Sequence, residues 1–218
     1  MQLEAKNISF RYNALSPWIL EDVSFKVDAG ERVALVAPSG FGKSTLSRIL
    51  SGYLRPTKGQ VLWDGRPLPK RGFNPVQMIY QHPELSVNPR QKMSKILNEC
   101  WKPDDALISA MGIEKAWLSR WPNELSGGEL QRFCIARILS PDTRLLICDE
   151  ISTMLDVITQ AQIWEILLRV SEENHLGMIV VTHNLALAEK VCQRTIYLEE
   201  LCSETAFDAG HSNTLVHC

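Results

Sequence analysis

Hydrophobic and polar positions follow two periods along this 218-residue chain, one typical of strands and the other of helices. Apolar residues alternate over residues 3–10 and 19–27, and short apolar runs bounded by turn residues follow. We predict strands from both kinds of segment. The later predicted strands cover residues 33–36, 60–64, 77–80, 144–148, 178–181 and 194–198.

Helical spacing begins directly after the strand at 33–36. Leu46, Ile49, Leu50 and Tyr53 lie at positions i, i+3, i+4 and i+7, which predicts a helix with one buried face. The same spacing marks an amphipathic helix around residues 163–170, and a short helix follows residue 183. Between residues 82 and 139 the pattern is helical, and the helices that we predict there cover 90–101, 104–111 and 129–139.

The alternation of strands and helices predicts an α/β fold with a mostly parallel sheet and helices on its faces. The strands before residue 37 predict an antiparallel, hairpin-like β subdomain. We expect a single domain over 1–218, with a core at 1–81 and 141–201, an inserted helical subdomain at 82–140 and a polar tail at 202–218.

Composition narrows the functional classes. The formal net charge is −2, without the basic excess of a nucleic-acid-binding protein. No apolar run approaches the roughly 18–20 residues of a membrane span, and residues 1–6 do not resemble a signal peptide. The six cysteines form no C-x-x-C pair, which fits a reducing compartment. Cys134 and Cys148 are expected in the core, and Cys192, Cys202, His211, His217 and Cys218 match no standard metal-ligand spacing.

A glycine-rich segment stands between the strand at 33–36 and the helix that follows it. Its residues are Ala37, Pro38, Ser39, Gly40, Phe41, Gly42, Lys43, Ser44 and Thr45. This order is typical of a phosphate-binding P-loop, in which backbone N–H groups and the helix N-terminus bind an anion. Lys43 can reach the β- and γ-phosphates, and the Ser44 hydroxyl can bind Mg²⁺. Ala37 replaces the first glycine, which costs roughly 1–2 kcal/mol if φ there is positive and almost nothing if φ is negative.

Two further segments carry candidate chemistry. The apolar strand at 144–148 is followed by Asp149 and Glu150, which are predicted to hold Mg²⁺ and to activate a water beside the γ-phosphate. The sequence Ser126-Gly127-Gly128 at a helix start is a second candidate anion site. With Leu125 and Glu129 it resembles the L-S-G-G-Q signature of the ATP-binding cassette (ABC) family, which more often has Gln at the last position.

The resemblance implies a role for each motif in turn. Tyr12 matches the aromatic residue that stacks on adenine, residues 37–45 match Walker A, and Gln81 matches the glutamine of the Q-loop. Asp149 and Glu150 match Walker B and the catalytic glutamate that follows it. Ser152-Thr153-Met154-Leu155-Asp156 matches a D-loop with an extra residue, and His183 matches the switch histidine. The implied catalytic residues are Lys43, Gln81, Glu150 and His183, and the implied Mg²⁺ ligands are Ser44, Gln81 and Asp149. The ATP would lie between Walker A of one subunit and residues 125–129 of the other.

Residues 81–90 resemble the peptide/nickel importer branch, where a Ser-x-Asn-Pro-Arg run follows the Q-loop, and the chain resembles the shorter ATPase of such a pair. The resemblance implies ATP and Mg²⁺ as cofactors and a location at the cytoplasmic face of the membrane. The implied partners are a second cassette, identical or homologous, two permeases and, indirectly, a solute-binding protein. Two alternatives stay open: a soluble ABC ATPase of translation or DNA repair, and a non-catalytic half of an asymmetric dimer.

Overall fold

The computed structural model describes residues 1–151 and 156–203, and side chains up to residue 201. Its strands are β1 (Gln2–Phe10), β2 (Leu20–Asp28), β3 (Arg32–Val36), β4 (Lys58–Trp63), β5 (Arg66–Pro67), β6 (Val76–Ile79), β7 (Leu145–Asp149), β8 (Gly177–Val181) and β9 (Arg194–Tyr197). Its α-helices are α1 (Lys43–Leu50), α2 (Met93–Leu97), α3 (Asp105–Ala110), α4 (Gly127–Ile138), α5 (Val157–Asn174), α6 (Leu185–Val191) and α7 (Leu198–Ser203).

These strands form two sheets. The antiparallel sheet has the order β2-β1-β4-β5, and the second sheet has the order β6-β7-β8-β3-β9 with every neighbouring pair parallel. Parallel strands need crossovers, and the helices between these strands supply them. Every residue of β7 and β8 is buried, which explains why both strands are continuous apolar runs in the sequence.

The parallel sheet divides the core into two layers because its side chains alternate between its faces. Leu146 and Met178 point to the layer that contains α4 and α5, whereas Leu145 and Ile179 point to the layer that contains α1 and the antiparallel sheet. The sheet is therefore covered on both sides, and polar groups can emerge only at the ends of its strands.

The largest differences from the sequence prediction lie in the helical segment. Of the helix predicted over 90–101, only the segment α2 is helical. Asn88 forms a turn in which its side chain accepts from the Arg90 N–H and its carbonyl accepts from the Gln91 N–H, so the helix starts later. At the other end the Asn98 side chain donates to the Ser94 carbonyl and ends the helix. The strand β5 was not predicted. Residues 198–203 form α7, which extends into the segment predicted as a tail; residues 204–218 lie outside the described part.

Several composition-based expectations can be checked directly. Cys134 and Cys148 are buried free thiols, as predicted for core residues. Within residues 1–151 and 156–201 no group of three metal-ligating side chains comes together, whereas the side chains of Cys202, His211, His217 and Cys218 lie outside this range. None of the described helices is both long and apolar enough to cross a membrane.

Candidate functional site

The carboxyl ends of four parallel strands bring most of the predicted site residues to one edge of the sheet. Residues 37–45 follow β3, His183 lies just after β8, Asp149 ends β7, and Gln81 lies just after β6. Because the strand order is β6-β7-β8-β3-β9, these four segments stand side by side. Ligands of open α/β sheets bind at this edge.

The glycine-rich segment has the backbone geometry that its sequence predicts. Gly40 and Gly42 have φ of 81° and 89°, in the region that favours glycine. A Cβ on Gly42 would lie 2.9 Å from Ile19 Cγ2, so the loop packs directly on the start of β2. Ala37 is buried and is not among the described residues with positive φ. The replacement of the first glycine therefore carries no left-handed strain.

Lys43 begins α1 and is buried against the loop. Its Nζ donates to the carbonyl oxygens of Ala37 at 2.7 Å and of Pro38 at 2.9 Å. These two bonds hold the ammonium group above the loop at the N-terminal end of α1, where the helix dipole is also positive. The segment thus concentrates positive charge at the edge of the sheet.

Asp149 is a buried carboxylate at the end of β7, with only 5% of its surface exposed. It shares a hydrogen bond with Ser44, but its Oδ1 atom has no hydrogen-bond partner among the described residues. Burial raises the pKa of Asp149, the charge of Glu150 raises it further, and the Ser44 bond and the charges of Arg48 and Lys43 lower it. A buried carboxylate oxygen beside a hydroxyl is a site that a hard cation would stabilise.

Glu150 has a strained backbone, with φ of 49°. Its N–H donates to the Val181 carbonyl at 3.1 Å, which ties this conformation to β8. For a residue other than glycine such a conformation costs about 1–3 kcal/mol, and it persists where the surrounding structure enforces it. Glu150 Oε1 lies 3.3 Å from Nδ1 of His183, so the two predicted catalytic residues are in contact.

Tyr12 follows β1 and has 66% of its surface exposed. The Ile19 N–H donates to the Phe10 carbonyl at 2.9 Å and closes the segment that carries Tyr12. Its ring meets Phe10 edge to face, with centroids 5.1 Å apart, and the exposed part of the ring is available for stacking. Because Ile19 also packs on Gly42, Tyr12 and the glycine-rich loop are held by the same strand end.

The predicted signature segment lies at the N-terminal end of α4. Ser126 is its N-cap, and its hydroxyl accepts from the Glu129 N–H at 3.3 Å. Glu129 Oε2 in turn accepts from the Ser126 N–H at 2.7 Å, which completes a capping box. The glutamate that replaces the usual glutamine therefore fixes the shape of the segment, while Gly127 leaves open space beside it.

The predicted D-loop lies mostly outside the described part of the chain, since residues 152–155 are not described. Asp156 is described and caps α5 by accepting from the N–H groups of Ile158 at 3.1 Å and Thr159 at 3.0 Å. Two residues beside the predicted site were not predicted from the sequence. Arg48 acts on Asp149 through its charge, and Gln131 contacts the backbone beside Gln81. The only sequence signal for Gln131 is an amide on the apolar side of α4.

Comparison with known proteins decides the family. Residues 20–153 match the family described as ABC transporter. The nickel import ATP-binding protein NikE of Rhodospirillum rubrum is 36% identical over 203 residues, 84% of this chain and 73% of that protein. The chain belongs to the ABC transporter family. NikE of Escherichia coli K12 is 35% identical over 200 residues, 83% of this chain and 75% of the relative. As a member of this family the chain is an ATP-binding subunit and an ATPase.

Solved ABC structures share the fold. The ATP-binding cassette MJ0796, in a dimeric post-hydrolysis state with ADP and Pi, gives a TM-score of 0.76 at 24% identity over 89% of this chain and 93% of its own. The protein cbiO1 from Clostridium perfringens gives 0.72 at 20% identity over 94% and 92%. The predicted α/β fold class of this ABC ATPase is confirmed, whereas the assignment of individual site residues stays a prediction.

The buried carboxylate predicts a gain in stability when its charge is removed. Because the pKa of Asp149 is raised in the folded chain, folding is favoured when this group is protonated. Its contribution to stability falls as pH rises through its unfolded pKa and stays unfavourable above its folded pKa. Asp149→Asn should therefore have a higher Tm than the wild type at pH 7.5 without nucleotide, and the difference should shrink towards pH 4.

Thermal unfolding followed by circular dichroism measures this difference. The exposed Asp142→Asn serves as the matched control and should change Tm little at either pH. A lower Tm for Asp149→Asn at pH 7.5 would show that the buried carboxylate stabilises the fold, contrary to this account.

Proposed function

We propose that this chain is the ATP-hydrolysing subunit of an ABC importer for nickel, another metal chelate or a peptide. The observation that carries the proposal is the alignment of the glycine-rich loop, Asp149, Glu150 and His183 at one sheet edge of a chain that is 34–36% identical to nickel import ATP-binding proteins. The Ser-x-Asn-Pro-Arg run after Gln81 supports the same branch.

The positive charge at this edge and the N-terminal N–H groups of α1 support ATP binding. We assign the phosphates to residues 37–45, with the Lys43 ammonium between the β- and γ-phosphates, and the adenine ring to the open side of Tyr12. The donor set fits Mg²⁺, because Asp149 Oδ1 is a hard oxygen that lacks a partner within the described part of the chain and lies beside the Ser44 hydroxyl. Ser44, Gln81 and Asp149 would hold the ion, which neutralises charge on the β- and γ-phosphates when bound.

Hydrolysis needs a positioned water and a base. Glu150 follows Asp149 and therefore lies on the γ-phosphate side of the site. Its carboxylate would take a proton from the attacking water, while the γ-phosphoryl group passes to that water and ADP leaves. His183, in contact with Glu150 Oε1, would hold the carboxylate in place and contact the same phosphate. Gln81 would report occupancy of the site to the rest of the transporter.

The second half of each site would come from a second cassette. We assign the γ-phosphate of the partner's ATP to the N-terminal end of α4, where the capping box fixes Ser126 and the exposed Gly127 and half-buried Gly128 allow close approach. Leu125 would anchor this segment in the core, Glu129 would set its shape, and Asp156 would lie at the same interface. In this arrangement residues 1–81 and 141–201 form the nucleotide-binding core, and 82–140 the helical subdomain that carries the signature.

A groove of about 340 Å³ beside Gln81 fits the expected permease contact. Tyr53 and Leu85 on its rim are 61% and 73% exposed, so the groove has an exposed apolar rim. Arg137 and Glu99 form an ion pair in the groove at 3.0 Å. We propose that a permease segment docks here and holds the chain at the cytoplasmic face of the membrane, with a solute-binding protein acting on the other side.

The base assignment predicts a trapped dimer. Glu150→Gln keeps the side-chain shape but cannot accept the proton of the water. Loss of a general base removes about 10²–10⁴ in rate while binding is kept, so the variant should accumulate with ATP in a closed dimer, or in a heterodimer if the partner cassette is distinct. Size-exclusion chromatography or cross-linking with ATP measures this species.

Two variants control the interpretation. Adding Ser126→Arg to Glu150→Gln should abolish trapping, because it puts bulk and charge where the partner's γ-phosphate docks. The exposed Glu165→Gln should neither trap the dimer nor slow hydrolysis. Normal hydrolysis by Glu150→Gln would show that Glu150 is not the base, and failure to dimerise with any cassette would exclude the shared site.

The importer assignment is tested by uptake. In native cells that lack this chain, we expect uptake of radioactive nickel to fall and to be restored by the wild-type chain but not by Glu150→Gln. A fall in dipeptide uptake with unchanged nickel uptake would assign a peptide instead. Unchanged uptake of nickel, of metal chelates and of peptides would contradict the importer function.

A further inference from the structure

Gln131 on α4 has a buried amide that the functional assignment above does not use. Only 1% of its surface is exposed. Its Nε2 donates to the Tyr80 carbonyl at 3.3 Å, whereas its Oε1 has no hydrogen-bond partner among the described residues. A buried acceptor without a partner costs about 1–3 kcal/mol, so packing alone does not explain an amide at this position. A leucine or methionine would fill the same space without that cost.

The amide joins two segments with different predicted roles. On one side, Gln131 is five residues after Ser126, in the helix that presents the signature segment. On the other side, it holds the carbonyl of Tyr80, the residue immediately before Gln81. One buried side chain therefore connects α4, which is assigned to the partner's ATP, with the segment of Tyr80 and Gln81, which is assigned to this chain's own ATP.

Each end of this link belongs to a packed element. Helix α4 carries Phe133, Ile135 and Ala136, which have no exposed surface. Tyr80 packs its ring edge to face on Tyr53 at 5.7 Å, and burial raises the pKa of Tyr80 to about 12. Because this ring contact restrains the Tyr80 side chain, a shift of α4 that pulls the Tyr80 carbonyl acts on the backbone that leads into Gln81.

We propose that Gln131 is a positioning residue that couples the docking of the partner's ATP at α4 to the placement of Gln81 in this chain's own site. The inference rests on the proposed function, since it needs both roles. Nε2 transmits the movement of α4 to the Tyr80 carbonyl. When the dimer closes, a backbone N–H of the segment after Tyr80 donates to Oε1. Two hydrogen bonds from the Gln131 side chain then hold the segment that contains Gln81.

Two substitutions test the link in the full chain, purified with its partner cassette and permeases. Gln131→Met keeps the length and removes both polar atoms, and Gln131→Glu replaces the amide donor by a carboxylate oxygen and adds a negative charge. The ATP dissociation constant should change less than about twofold, because the residue does not touch the nucleotide, while kcat should fall about tenfold, the scale of a coupling between sites. The matched control is Ser171→Ala, an equally buried polar residue on α5, which should lower Tm and keep kcat.

A double-mutant cycle separates positioning from a general structural effect. In a Gln81→Ala background, Gln131→Met should lower kcat by less than about twofold, because the residue through which it acts is gone. The proposal would be overturned if the fold reductions in kcat of the two single variants multiply in the double variant. A wild-type kcat in Gln131→Met would also overturn it. A wild-type complex that does not hydrolyse ATP would instead overturn the proposed function.

Hydrogen exchange tests the link without altering Gln131. With saturating ATP, the amides of residues 80–82 in the complex with wild-type Gln131 should become protected. This protection should be lost when Ser126→Arg prevents docking, while the amides in β8 stay unchanged. Equal exchange of residues 80–82 in the two complexes would contradict the coupling, even if the Gln131 variants fail to fold.

Discussion

The common carboxyl edge of the parallel sheet is the constraint on which this structure depends. Both faces of β7 and β8 are buried, so a polar side chain on these strands has an outlet only where the strand ends. Asp149 and His183 therefore emerge together, beside the loop that follows β3. The chain needs no long-range polar network to assemble the site, because the pairing of apolar strands already aligns its parts.

The site contains buried charged groups and a strained backbone, and both suit the binding of charged ligands. Asp149 is ionisable and buried, with one oxygen that has no partner in residues 1–151 and 156–201, and Glu150 has a left-handed backbone. Lys43 is buried against two carbonyl groups. In the proposed function, the strain at Glu150 and the buried charges of Asp149 and Lys43 would be offset when an anion and a hard cation occupy this edge. Family membership and the relatives that bind ATP agree with this interpretation.

Local sequence was sufficient for the features that depend on neighbouring residues. The apolar runs predicted the parallel strands, and the glycine-rich segment and Ser126 predicted helix starts that the structure contains. Features that depend on distant contacts were not predictable. The φ of Glu150 depends on its bond to Val181, and the role of Gln131 depends on a carbonyl 51 residues away. The sign of φ at Ala37 is known only from the backbone of the folded loop. The helix α2 is short because Asn88 and Asn98 form turns at its two ends.

The central claim is that the loop at residues 37–45 binds the phosphates of ATP for hydrolysis, and the steady-state rate of ATP hydrolysis by Lys43→Ala tests it most directly. Lys43 supplies the full positive charge of this loop, and removing one group that stabilises the developing charge costs about 10²–10³ in rate. We expect loss of at least that factor, with weaker ATP binding. The exposed Lys115→Ala should keep the wild-type rate. Wild-type hydrolysis by Lys43→Ala would contradict the account.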